Sequence, residues 1–173
     1  MKKGGQFYLV ASMIILVILA GFISLSNYTS KVKFSEMKNI KQEINTEVEN
    51  VLDYGTINNL ASNEFLALFN NLSSNYIEKF SEKTTIFLYG ESPGTIVCKG
   101  KNSWNETLSI DYGSGQEIVK NGEGEFEEIY TSSSASVNLT LDLVSYEFEF
   151  QEGEGFYYLI SNKYGGENDI IRN

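Results

Sequence analysis

The chain has 173 residues, 42% of them hydrophobic, and its 13 basic and 23 acidic side chains give a formal net charge of −10. That length suits one domain with a modest core rather than two. The acidic balance excludes a nucleic-acid binder, which needs surface cations to displace counterions. The absence of His and the single Cys exclude imidazole chemistry, an intrachain disulfide and any multi-cysteine metal site. Residues 1–6 are a short basic leader containing Lys2 and Lys3. Residues 7–25, bounded by Phe7 and Leu25, read FYLVASMIILVILAGFISL and hold no charge. At ~1.5 Å per residue this run spans about 28 Å, near the thickness of a bilayer's hydrocarbon core. Apolar on every side, it is expected to be a transmembrane helix rather than a buried core helix. A cleaved secretory signal is the rival, with Ser24-Leu25-Ser26 as a small-x-small site, but signal cores run only about 7–15 residues. With the run and leader set aside, the remainder sits near −12.

The leader Lys2-Lys3-Gly4-Gly5-Gln6-Phe7, running straight into the apolar segment, resembles the class III (prepilin-type) signal peptides of archaeal type IV pilin-like proteins. The resemblance implies a cut between Gly5 and Gln6 by a membrane prepilin-type peptidase, which leaves the helix on the mature chain. It covers about the first 25 residues. Many pilins carry Glu at the fifth mature position, where this chain has Val10. A looser resemblance extends over "ENVLDYG" at residues 49–55 and "YEFEF…GEGFYYLIS" at residues 146–161. It points to small membrane-anchored archaeal proteins, from which no activity carries over. Four lysines after the run (Lys31, Lys33, Lys38 and Lys41) would favour a cytoplasmic C-terminal side by count alone. They are interleaved with Glu36 and Glu43, and the body carries glycosylation patterns. The expected orientation is therefore a single pass through the plasma membrane, with the N-terminus cytoplasmic and the body outside.

Further along, Phe34, Met37, Ile40, Ile44, Val48, Val51 and Leu52 recur at three- and four-residue spacings. This predicts an amphipathic helix over residues 30–52, continuous with the membrane segment because no Pro or Gly lies between Gly21 and Gly55. The stripe packs either on the chain's own domain or on neighbouring pilin-like subunits, where it would set the register. Gly55 is expected to end the helix in a left-handed conformation. A second helix is predicted over residues 63–81, capped by Ser62 or Asn63, with Glu64 in its first turn. Its buried face would be Phe65, Leu68, Phe69, Leu72, Tyr76 and Phe80, with Asn71 on the solvent side. From Thr84 onward the period changes to two. Strands are expected at residues 84–89, 95–99, 107–112, 137–141, 146–150 and 156–160, split at Gly90, Pro93-Gly94, Gly113-Ser114-Gly115, and Gly153 with Gly155. The last strand is the most continuously apolar and suits a central position. The expected fold class is α+β: a transmembrane helix extended into an amphipathic helix, a second short helix, then a small antiparallel β-sheet or sandwich. The expected divisions are residues 1–6, 7–25, 26–55 and 56–173, the last being an extracytoplasmic β-rich domain.

Four N-x-Ser/Thr patterns begin at Asn27, Asn71, Asn105 and Asn138. They are candidate N-glycosylation sites if the body is outside, Asn105 being the best placed and Asn27 too close to the bilayer. Residues 121–128 concentrate carboxylates without the oxygen spacing of a calcium loop. A solvated acidic loop leading into an edge strand is the expectation. Cys98 is expected to be a small core residue of a strand, with Lys99 on the opposite face. No catalytic, cofactor or metal residues are assigned. The expected function is structural rather than enzymatic: a pilin-like or surface-anchored protein whose partners are the lipid bilayer, other subunits and the peptidase. The alternative is a solitary membrane-anchored binding module. A carboxylate-dependent hydrolase is the remote one, and would need a concave cluster of Asp and Glu.

Overall fold

A computed structural model describes residues 3–91, 94–104, 107–113, 117–132, 136–150, 154–164 and 167–173. Within the first helix, side chains are described over residues 12–24 and from Glu36 onward. The architecture is α+β with two antiparallel sheets. Helix α1 (Lys3–Ile57) is followed by α2 (Ser62–Lys79). The strands are β1 (Thr84–Glu91), β2 (Gly94–Asn102), β3 (Thr107–Asp111), β4 (Glu117–Asn121), β5 (Gly124–Ser132), β6 (Ser136–Leu141), β7 (Val144–Glu149), β8 (Glu154–Tyr164) and β9 (Glu167–Arg172). The chain divides into two compact units, Met1–Ile40 and Lys41–Asn173. The division falls inside α1. The expected segments 7–25 and 26–55 are thus one unbroken helix, and the C-terminal part of that helix belongs to the β-rich unit.

Unit Lys41–Asn173 is built in three layers. The first sheet has the order β5-β2-β1-β8-β9 and the second β4-β3-β6-β7. Between them lies one core, in which Ile86, Leu88, Ile96, Cys98 and Leu159 face Leu108, Ile110, Val137, Leu139, Leu141 and Phe148. The other face of the first sheet carries the helices. Phe69 of α2 stacks on Tyr89 at 5.2 Å and meets Phe156 edge-on at 5.4 Å. Tyr76 lies 6.3 Å from Phe87. The C-terminal part of α1 is tied to β8 and β9, where Tyr158 donates to Asn45 at 2.7 Å and Lys41 donates to the Arg172 carbonyl at 2.7 Å. Because the first sheet is covered on both faces, β1 is buried along Thr84–Gly90 and its sequence reads as a continuous apolar run rather than an alternation. β8 is an interior strand between β1 and β9, as its sequence predicts.

Several expectations change in detail. Gly55 does not terminate α1. It is buried inside the helix, and a Cβ there would lie 2.0 Å from the Phe65 ring, so glycine serves close helix packing. The helix ends at Ile57, and Asn59 (φ 49°) takes the left-handed conformation. α2 begins at Ser62 with Ala61 as its cap residue, so neither Ser62 nor Asn63 caps it. Glu64 instead accepts the Ala61 N–H at 2.9 Å. Gly90 does not break a strand but lies within β1, where a Cβ would meet the Thr95 carbonyl oxygen at 2.4 Å. β4 and β9 carry no clear period of two and were not expected as strands. β5 is an edge strand, as expected, but it begins at Gly124, so most of the predicted acidic loop is strand.

Candidate functional site

The longest run of exposed apolar side chains among the described residues is on α1. Met13, Ile14, Ile15, Leu16, Val17, Ile18, Leu19, Phe22 and Ile23 are each 52–68% exposed. Consecutive positions in this stretch cover every direction around a helix of 3.6 residues per turn. The exposure is therefore circumferential, not a stripe. Among the described residues no helix is long and apolar enough to cross a membrane. The side chains of Phe7 and Leu25, and those of Gly5 and Gln6 at the expected cleavage point, lie outside the described set.

The amphipathic stripe behaves differently. Met37, Ile40, Ile44 and Val48 are buried in a single copy of the chain and Val51 is half-buried, whereas the Phe34 side chain lies outside the described residues. Around it, Glu43 pairs with Lys79 and accepts from Tyr76. Burial first, then the carboxylates of Glu47 and Glu43, push the Tyr76 phenol well above its ordinary value.

The glycosylation candidates separate on burial. Asn71 is exposed on α2, but the hydroxyl of its pattern belongs to Ser73, which is fully buried and donates to the Asn70 carbonyl at 3.3 Å. Asn138 is half-buried on the outer face of the second sheet, opposite Asp111 and Glu147. Its partner Thr140 shares a 2.7 Å hydrogen bond with Ser145. Asn105 and the Asn27 side chain lie outside the described residues.

At the edge of the sandwich, side chains of three strands and of Tyr112, the residue after β3, converge. Cys98 of β2 is fully buried beside Tyr112, whose ring stacks on Tyr130 of β5 at 3.8 Å. Glu128, one register step from Tyr130 on the core-facing side of β5, pairs with Lys120 of β4 and so ties the edges of the two sheets together. Burial pushes the Cys98 thiol up to about 12, and the neighbouring Tyr112 only partly offsets this. The hydrogen bond from Lys120 holds Glu128 below its ordinary carboxylate value. A thiol kept protonated is a poor nucleophile. Lys99 does face the opposite side, where it donates to Ser74 of α2 at 2.9 Å. Among the described residues no group of three or more Cys, Asp or Glu side chains is placed to hold a metal ion.

Sequence reasoning missed one surface. An open pocket of about 220 Å³ lies between the N-terminal turn of α2 and the β1–β2 hairpin, lined by Ser62, Asn63, Leu66, Tyr89, Thr95 and Val97. These residues come from two helical turns and two strands, so no local pattern announces it. In the comparisons with known proteins, no family model, no curated protein and no solved structure matches the chain.

Proposed function

We propose that the chain is a pilin-like structural protein held at a membrane by its N-terminal helix, with Lys41–Asn173 as an extracytoplasmic domain. The observation that carries this reading is the circumferential apolar exposure of α1 between Met13 and Ile23. A helix apolar on all sides is stable only when lipid or other apolar helices cover it. Extended by the neighbouring sequence to residues 7–25, the segment matches a bilayer in length. Its partners are then the lipid bilayer, a prepilin-type peptidase acting between Gly5 and Gln6, and further subunits. Subunit contacts through α1 use the exposed segment around Met13–Ile23. The protein's role is mechanical, and it calls for no catalytic residue, cofactor or metal.

The test is mass spectrometry of the mature N-terminus after expression in a host that has a class III peptidase, together with alkaline extraction of its membranes. The expected product begins at Gln6 and stays in the membrane pellet. An intact Met1 overturns the pilin-type reading and leaves a solitary anchored module. Release into the alkaline supernatant overturns the anchor itself.

A further inference from the structure

The sequence holds one Asn-Gly pair, Asn121-Gly122, and one Asn-Ser pair, Asn102-Ser103. In such pairs the small second residue lets its backbone nitrogen approach the carbonyl carbon of the asparagine side chain. The fold treats the two pairs in opposite ways. Asn102 is 1% exposed. Its Oδ1 accepts from Thr84 Oγ1 at 3.2 Å and from the Trp104 N–H at 3.3 Å. The Ser103 nitrogen, the atom that would attack it, donates to Thr84 Oγ1 at 3.1 Å. Electrophile and nucleophile are thus each held by other partners in a buried setting.

Asn121 is the last residue of β4, an edge strand of the second sheet, and it is exposed. Gly122 and Glu123 lie outside both strands and carry the chain over to β5 in the first sheet. Gly122 sits at φ 90°, which most side chains avoid, so the crossover itself calls for the glycine that makes the pair reactive. Thr107, the register partner of Asn121 on β3, donates from Oγ1 to Asn121 Oδ1 at 3.2 Å. A donor at that oxygen polarises the carbonyl and stabilises the negative charge that develops there during attack.

We propose that Asn121-Gly122 is a site of spontaneous deamidation, with the Thr107 hydroxyl as the donor to the reacting carbonyl. The Gly122 nitrogen attacks Asn121 Cγ, and the new N–Cγ bond closes a cyclic succinimide. The Cγ–Nδ2 bond breaks, and the side-chain nitrogen leaves as ammonia with the proton that the Gly122 nitrogen gave up. Water then opens the ring at either carbonyl, which leaves aspartate or isoaspartate at position 121. Nothing is oxidised or reduced, and water is the sole co-reactant. Both products add a carboxylate close in sequence to Glu123 and Glu125. Isoaspartate also inserts a methylene into the main chain at the crossover. The Lys120–Glu128 pair joins β4 to β5 at this point, so the longer main chain loosens the tie between the two sheet edges. The change runs one way and marks the age of a copy. It uses neither the leader nor residues 7–25, and so stands apart from the membrane reading.

The experiment uses the full chain in detergent, expressed in a host without N-glycosylation so that the Asn105 pattern plays no part. The folded chain, and the same chain in guanidinium chloride, are kept at neutral pH for weeks in buffer made with heavy-oxygen water. Digestion in ordinary water follows, so that later deamidation carries no label. Peptide mass spectrometry with electron-transfer fragmentation then reads the label at each asparagine and separates isoaspartate from aspartate. Folding should slow labelling at position 102 by about tenfold or more, because a buried group reacts only when the structure opens locally. Position 121 should be slowed far less and should accumulate label, as both isoaspartate and aspartate, in the folded chain. Thr107 is exposed, and Thr107→Val keeps a strand-forming residue there, so the variant folds. It should deamidate at 121 about threefold or more slowly, the worth of one net hydrogen bond. A folded chain in which position 121 stays unlabelled, or is slowed as much as position 102, overturns the site. A Thr107→Val variant that deamidates at its parent's rate overturns the donor role.

Discussion

Cys98 shows how burial sets the chemistry of a single residue. Its position in Ile96-Val97-Cys98 marks it as a core residue, but its partners Tyr112, just after β3, and Tyr130 of β5 could not be read from its neighbours in sequence. In the folded chain Cys98, Tyr130 and Tyr158 each keep their proton up to about 12, chiefly because burial disfavours the anion. In the unfolded chain the thiol titrates near 9.0 and the phenols near 10.0. Above those values the unfolded state binds fewer protons than the folded one, so stability falls as pH rises. This contribution is complete below about pH 9 and is lost progressively toward pH 12. Urea unfolding followed by circular dichroism should show a midpoint that does not fall on account of these groups between pH 7 and 8.5 and declines steadily above pH 9.5. In the native state at pH 8, Cys98 should resist alkylation by iodoacetamide, and in denaturant it should react to completion.

The helices were the most legible elements, because a period of three to four over many residues is hard to produce by chance. Their ends were less legible, since tertiary contacts decided them. Gly55 looked like a terminator because glycine is the usual left-handed residue after a helix. In the structure its missing side chain admits the Phe65 ring, and the helix runs on to Ile57. Helix propensity alone predicts that Gly55→Ala stabilises by about 1 kcal/mol. The contact with Phe65 reverses the sign, and the expected outcome is a loss of about 1–3 kcal/mol from overpacking. Chemical denaturation of the two proteins decides between these values. Among the strands, β5 was half legible. Phe126 and Tyr130 face inward, but Glu128 stands between them on the same side and hides the alternation. Its partner Lys120, on β4 of the other sheet, explains why a carboxylate is tolerated there. An inward charge on an edge strand also discourages pairing with a foreign strand.

Across the whole molecule the apolar exposure is segregated. The circumferential patch on α1 lies within Met1–Ile40, whereas Lys41–Asn173 encloses its own sandwich core and its own helix-to-sheet contacts. A chain shortened to begin at Lys41 should therefore be monodisperse in detergent-free buffer at micromolar concentration and melt in one cooperative transition. The full chain should partition into the detergent phase of a Triton X-114 separation. A shortened chain that precipitates or melts without cooperativity would show that its fold depends on residues before Lys41. Tyr158 to Asn45 and Lys41 to Arg172 argue for independence, because both tie the last part of α1 to β8 and β9 within the unit.

The sequence by itself determined what depends on local order: the apolar run of residues 7–25, the helical stripe, the switch to a period of two after Thr84 and the acidic balance. Each is a property of neighbouring side chains, which hydrophobic burial and backbone geometry read directly. Only the tertiary structure decided the destination of each face. It buried Ile44 and Val48 of the stripe, and it buried Ser73, which carries the hydroxyl of the Asn71 pattern. It also assembled a pocket from α2 and the β1–β2 hairpin. Those outcomes depend on which strands become neighbours, and that is set by the packing of two sheets and a helical layer against each other rather than by any single stretch of chain.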